Sequence, residues 1–183
     1  FVQHINEVGK VVWKLCKASG VPETYQQLDK WLVAITQSPS ENLLAYLNQE
    51  SQRGKPEAQL ILGMLYDRGD ILEKNEPLAL EYYEAAANSG MPVAQTLLAA
   101  LLISGNQIEP DYFSSHTLLV EAASKGYREA QYRLGRLLTS DESPIENVEE
   151  ALTWFLESDR QGDLRSAIHI GLIHYDRKEY SAA

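Results

Sequence analysis

Glycine recurs at Gly54, Gly90, Gly126 and Gly162 with one constant interval (90 − 54 = 36). A fixed period of this length marks a repeat architecture, in which one small unit is copied and stacked on itself. Other columns keep the same phase. Glu57-Ala58-Gln59, Val93-Ala94-Gln95 and Glu129-Ala130-Gln131 fall in register, followed by the weaker Arg165-Ser166-Ala167. A small residue returns at Gly63, Ala99, Gly135 and Gly171, and bulky pairs return as Tyr82-Tyr83, Leu118-Leu119 and Trp154-Phe155 beside a small column of Ala86, Ala122 and Ser158.

Start and stop signals split each unit into two helices. The first spans roughly Glu57 to Arg68 behind Pro56, and Pro92 holds the same place one unit on; proline is tolerated in a first helical turn, where its missing N–H has no partner to lose. Ala58, Leu62, Leu65 and Tyr66 give this helix an apolar stripe. The second helix begins at a column of Asn75, Asp111 and Asn147, whose side-chain oxygens can accept an unpaired amide hydrogen. Asn147 with Glu150 approaches a capping box. The glycine column closes each second helix, where a left-handed residue is needed. A lone hairpin has nothing against which to bury Tyr82, Leu118 and Trp154, so neighbouring units are expected to cover them, with Gly63, Gly135 and Ala86 letting backbones approach.

Ala58-Gln59-Leu60-Ile61-Leu62-Gly63-Met64-Leu65-Tyr66, then Ala79-Leu80-Glu81-Tyr82-Tyr83-Glu84-Ala85-Ala86 and Gly90, resembles the Sel-one-like repeat, a relative of the tetratricopeptide repeat. The resemblance covers roughly residues 57–178. It implies an all-α fold: a right-handed superhelical solenoid of antiparallel helix-hairpin repeats with a 36-residue period, first helices lining a concave face. It also implies an adaptor or assembly scaffold of bacterial style. Fold-level analogy does not name a partner. The chain departs from the family pattern at Ala99, Leu102 and Leu138, and in the loops Asp70-Ile71-Leu72 and Asp141-Glu142-Ser143, which lack the usual glycine pair.

The organisation expected is an N-terminal cap and degenerate repeat over 1–56, then three full repeats and a partial fourth over 57–183, all one continuous solenoid. Ile5 to Ser19 reads as a capping helix, and Glu23 to Thr36 with Pro39 to Arg53 as the degenerate pair, Tyr46 holding the Tyr82 column (82 − 46 = 36). Ile168 to Tyr175 reads as the first helix of a fourth unit and Tyr180 onward as the start of its second. Such an end exposes Ile170, Ile173 and His174, and is expected either to continue in the native protein or to be covered by another molecule, a copy of this chain included.

Composition narrows the function. A formal charge of −10 and pI near 4.8 oppose nucleic-acid binding, which needs cations to replace phosphate counterions, and fit a basic or neutral partner better. The longest apolar run, Thr96 to Ile103, is too short to span a membrane. The single cysteine, Cys16, sits on an apolar stripe and excludes an intrachain disulfide; it leaves bacterial cytoplasm and periplasm equally open. Relatives with a cysteine pair in every repeat have been linked to penicillin binding or hydrolysis, but no repeat here holds a cysteine. His4, His116, His169 and His174 form no metal-binding pattern, and His174, in the Tyr66 column, is expected to be packed. No carboxylate pair, phosphate loop or cofactor fingerprint stands out. The reading is a non-enzymatic scaffold without cofactor that binds a peptide or helix. Its contact residues are expected on the first-helix face: Leu60, Met64 and Asp67, then Thr96, Ala100 and Ile103, then Tyr132, Arg136 and Thr139, with Tyr132 and Arg136 as anchors unless curvature buries the set. Self-association through the C-terminal end is the alternative.

Overall fold

A computed structural model describes residues 43–69 and 72–181, with backbone alone for Leu43 and for residues 176–181. The expected cap, the Glu23 to Thr36 helix and Cys16 lie outside the described residues. Among those described there are eight helices and no strand: α1 Leu43–Gln52, α2 Pro56–Arg68, α3 Glu76–Ala87, α4 Pro92–Ser104, α5 Tyr112–Ser124, α6 Arg128–Leu138, α7 Val148–Arg160 and α8 Leu164–Ser181. They fall into two compact units, one ending at Ala94 and the other beginning at Gln95. In the first, α2 packs on α1 and α3; in the second, α6 packs on α5 and α7, and α7 on α8.

The repeated local chemistry explains why each unit closes the same way. Asn75, Asp111 and Asn147 each accept from the backbone amide three residues on, at 3.0, 2.9 and 3.1 Å, so the expected capping column is realised in every unit. Each cap's own amide is committed elsewhere: Asn75 donates to Tyr66, Asp111 to Leu102 and Asn147 to Leu138, all at 2.9 Å. That commitment leaves the capping box at Asn147 open, and Glu150 accepts from the Asn147 side chain instead. Gly54, Gly90, Gly126 and Gly162 all take φ between +76° and +82°, the left-handed turn that glycine enters without a Cβ clash. Two members of the glutamine column tie first helices to the end of the preceding helix, Gln59 donating to the Ser51 carbonyl and Gln131 to that of Ala123, whereas Gln95 donates to Glu121.

Two packing expectations need correction. The buried members of the bulky pairs are Tyr83, Leu119 and Phe155, while Tyr82, Leu118 and Trp154 are only half-buried. The inward direction is one residue further round the helix, and Tyr82 stacks instead on Tyr66 at 5.8 Å. The small column does not serve the approach of separate repeats. A Cβ on Gly63 would meet the Tyr83 ring at 2.6 Å, and one on Gly135 the Phe155 ring at 2.6 Å, so each glycine is the seat for an aromatic from the second helix of its own hairpin. Ala99 and Leu119 occupy the same two columns, a methyl group facing a smaller side chain, and both are buried in one core cluster. Phe155 is fully buried, which stabilises the hairpin by roughly 1.5–3 kcal/mol.

The C-terminal helix also differs from expectation. α8 runs unbroken through Asp176-Arg177-Lys178-Glu179 to Ser181, so no second helix starts at Tyr180. The segment that is loop in earlier units lacks glycine and proline here, and Arg, Lys and Glu hold a helix well. Ile170 and Ile173 pack against the core, whereas His174 is exposed. Leu164, Ile168, Leu172 and Tyr175 form one stripe, exposed by 78, 64, 53 and 60%.

Candidate functional site

The nine expected contact residues meet different surroundings. In the first unit Leu60 and Met64 are buried in the core, and Asp67 accepts a hydrogen bond from the Tyr83 hydroxyl at 3.2 Å. Burial pushes the Asp67 carboxyl above its ordinary range, which marks it as a packed acid rather than a solvated one. In the second unit Thr96 is buried. Thr139 returns its hydroxyl to the carbonyl of Gly135 in its own helix. Three remain accessible together: Ala100, Ile103 and Arg136.

Those three line one cleft of about 160 Å³. α4 supplies Ala100, Ile103 and Ser104, α5 supplies Tyr112 and Leu119, and α6 with the residue two beyond its end supplies Arg133, Arg136, Leu137 and Ser140. The helices arrive there because α6 is strongly amphipathic: Ala130, Leu134, Leu137 and Leu138 face the core, which turns Arg133 and Arg136 to the opposite margin. Ser104 gives its hydroxyl to the Ala100 carbonyl at 2.8 Å, leaving the floor apolar. Sequence reasoning missed Tyr112 and Arg133. Their signal was the loop before α5 and the three-residue spacing of Arg133 and Arg136 on one helix face.

Tyr132 is engaged elsewhere. The Arg165 guanidinium lies over its ring at 4.0 Å, and His169 and Phe155 approach it at 5.8 and 6.2 Å. His169 is stacked on Phe155 at 4.9 Å, and burial, with help from Arg136, pushes its imidazole below the usual range. A charge network holds this arrangement. Glu129 accepts from Arg133 at 2.7 Å and from Arg165 at 2.6 Å, while Arg165 also grips Asp163 and keeps that carboxyl below its ordinary range. Tyr132, half-buried, thus packs α6 against α8 through Arg165 and His169.

No group of three or more His, Cys, Asp or Glu among the described residues is placed to hold a metal ion, and no helix there is long and apolar enough to cross a membrane.

The Sel1 repeat model matches residues 56–91, 92–127 and 128–163, more than half of the chain. No curated protein matches. Among solved structures, a Sel1 repeat protein from Oxalobacter formigenes is 28% identical with a TM-score of 0.59, over 70% of this chain and 96% of that one. The c5321 protein, a protective antigen of uropathogenic Escherichia coli with an SLR fold, is also 28% identical, with a TM-score of 0.61, over 67% of this chain but 26% of its own length. Helicobacter pylori cysteine rich protein B matches at 14% identity with a TM-score of 0.51 over 69% of this chain and 96% of that one, a likeness of fold alone.

Proposed function

The chain belongs to the Sel1 repeat family, whose helix-hairpin solenoids generally serve as protein-interaction scaffolds, and from that premise we propose that it binds a peptide segment in the cleft between α4, α5 and α6. The carrying observation is the cleft itself: an apolar floor of Ala100, Ile103, Leu119 and Leu137 with two arginines at its margin. Apolar pockets with a few placed polar groups are where ligands gain both affinity and orientation. Its volume is that of a void able to hold a benzene-sized group, about 150 Å³, so one bulky side chain is the natural anchor. Of the residues foreseen as contacts, Ala100, Ile103 and Arg136 line this cleft, whereas Leu60, Met64 and Thr96 are buried.

Peptides selected from a displayed random library against the immobilised chain test this reading. The selected peptides bind the native chain and lose binding to Ala100→Phe, which plugs the cleft. Equal binding to both, with the helical circular dichroism of each unchanged, sinks the proposal.

A second reading has one specific observation behind it. The exposed stripe Leu164, Ile168, Leu172 and Tyr175 on α8 suits self-association. Sedimentation velocity should then show a concentration-dependent species that Leu172→Glu removes; a single unchanging species disposes of it.

A further inference from the structure

The charged side chains that line the cleft, Arg133 and Arg136, are opposite in sign to the net charge of the chain. Overall the protein carries −10, yet α6 holds Arg128, Arg133 and Arg136 against the single acid Glu129. Glu129 already binds Arg133 through its Nε and is shared with Arg165. No ion pair of Arg136 occurs among the described residues, and it is exposed at the cleft margin. Charges further off than about 8 Å are largely screened at physiological ionic strength, so the local arginines, and not the global balance, set the field that a bound segment meets.

Resting on the cleft reading above, we propose that the cleft selects an acidic peptide segment. One apolar side chain seats among Ala100, Ile103, Leu119 and Leu137, and a neighbouring side-chain carboxylate bonds to Arg136 and to the η nitrogens of Arg133, which make no hydrogen bond among the described residues. Arginine suits the task because its planar fork presents paired donors to the two carboxylate oxygens. Glu129 accepts from the Arg133 Nε at 2.7 Å, a bond that holds the side chain and does not occupy its η nitrogens. The partner class is thus acidic with an apolar anchor, the reverse of the basic partner that net charge alone favours.

The test uses fluorescein-labelled peptides, acetylated or labelled at the N-terminus and amidated at the C-terminus so that no terminal carboxylate is present. One has leucine flanked by glutamates, one has the same leucine flanked by glutamines, and one has alanine flanked by glutamates. Anisotropy titrations with the full chain should rank the first at least about tenfold tighter than either of the others, a difference of about 1.4 kcal/mol. Arg136→Glu should erase the preference for glutamate, and raising salt from 50 to 300 mM should weaken the first peptide more than the second. Equal affinity of the glutamate and glutamine peptides, indifference to Arg136→Glu, or absence of binding by all three at millimolar concentration overturns the proposal. The two readings separate through Ala100→Phe. If it abolishes binding while glutamate and glutamine peptides bind the native chain alike, the cleft stands and the acidic preference falls. If glutamate is preferred, and lost in Arg136→Glu, but Ala100→Phe changes nothing, the arginines act outside the cleft and both readings fall.

Discussion

Helices α6 and α8 carry the same small-residue column in different surroundings. In α6, Gly135 lies under the Phe155 ring so closely that a methyl group there would overlap it, whereas a Cβ on Gly171 in α8 would meet nothing within 4 Å. The same residue is a steric requirement in one helix and a mere flexibility in the other. Position in a repeat therefore does not fix the role of a residue; the side chain delivered by the next helix does.

The sharpest way to break this comparison is a pair of leucine substitutions. Gly135→Leu should cost about 3 kcal/mol or prevent folding, because overpacking a filled seat displaces both Phe155 and the α7 backbone. Gly171→Leu should fold with a midpoint in urea close to the native one. Similar losses for both would show that glycine serves the helices and not the ring.

The hairpin of α4 and α5 sharpens the same point, because it solves the problem with Ala99 against Leu119. Gly135→Ala and Phe155→Leu should each destabilise alone, while the double variant recreates the alanine and leucine pairing. A double-mutant cycle should therefore return a favourable coupling of about 0.5–3 kcal/mol. Additive losses would remove the idea that these columns are matched within a hairpin.

Ser166 offers a smaller effect. It stands in the column of Ala58, Ala94 and Ala130, all fully buried, and its hydroxyl is buried without a hydrogen-bond partner among the described residues. Ser166→Ala should stabilise by about 1 kcal/mol in the same urea titration, since an unsatisfied buried hydroxyl is costly. A loss of stability would mean that the hydroxyl is bonded after all.

The smallest expected effect is one of pH. His169 has its folded pKa below the unfolded value of 6.5, so protonation favours the unfolded chain. The stability linked to it is fully present above pH 6.5 and declines as pH falls through that value toward the folded pKa. Melting temperatures between pH 7.5 and 5.5 should fall by less in His169→Gln than in the native chain. Identical slopes would separate the Phe155 stack from proton linkage.

Much of the fold was legible because its signals are local and repeated. The period of 36, the asparagine and aspartate caps and the glycine turns each depend on a few neighbouring atoms, and each is found where the spacing puts it. The direction in which a helix faces is less local. Tyr82 and Tyr83 are equally bulky, and it is Tyr83 whose ring seats against Gly63 on the facing helix. The surroundings of the candidate contact residues were harder to read for the same reason. Ala100, Ile103 and Arg136 could be placed on a face from spacing, but the buried positions of Leu60, Met64 and Thr96 depend on packing, and the engagement of Tyr132 depends on Arg165, 33 residues later (165 − 132 = 33). The length of α8 was misjudged because repetition was extended past the residues that cause the turn.

The seating of a ring on a glycine has a kinetic consequence. Gly63 and Tyr83 are 20 residues apart, as are Gly135 and Phe155 (83 − 63 = 155 − 135 = 20), so the contact that locks each hairpin closes a short loop. Short-range contacts form fast and carry little loop entropy. In a chain emerging from the ribosome this contact can form before the next unit is made, whose arrival then covers the face that a lone hairpin leaves exposed, and duplication of a unit copies its internal lock along with its sequence.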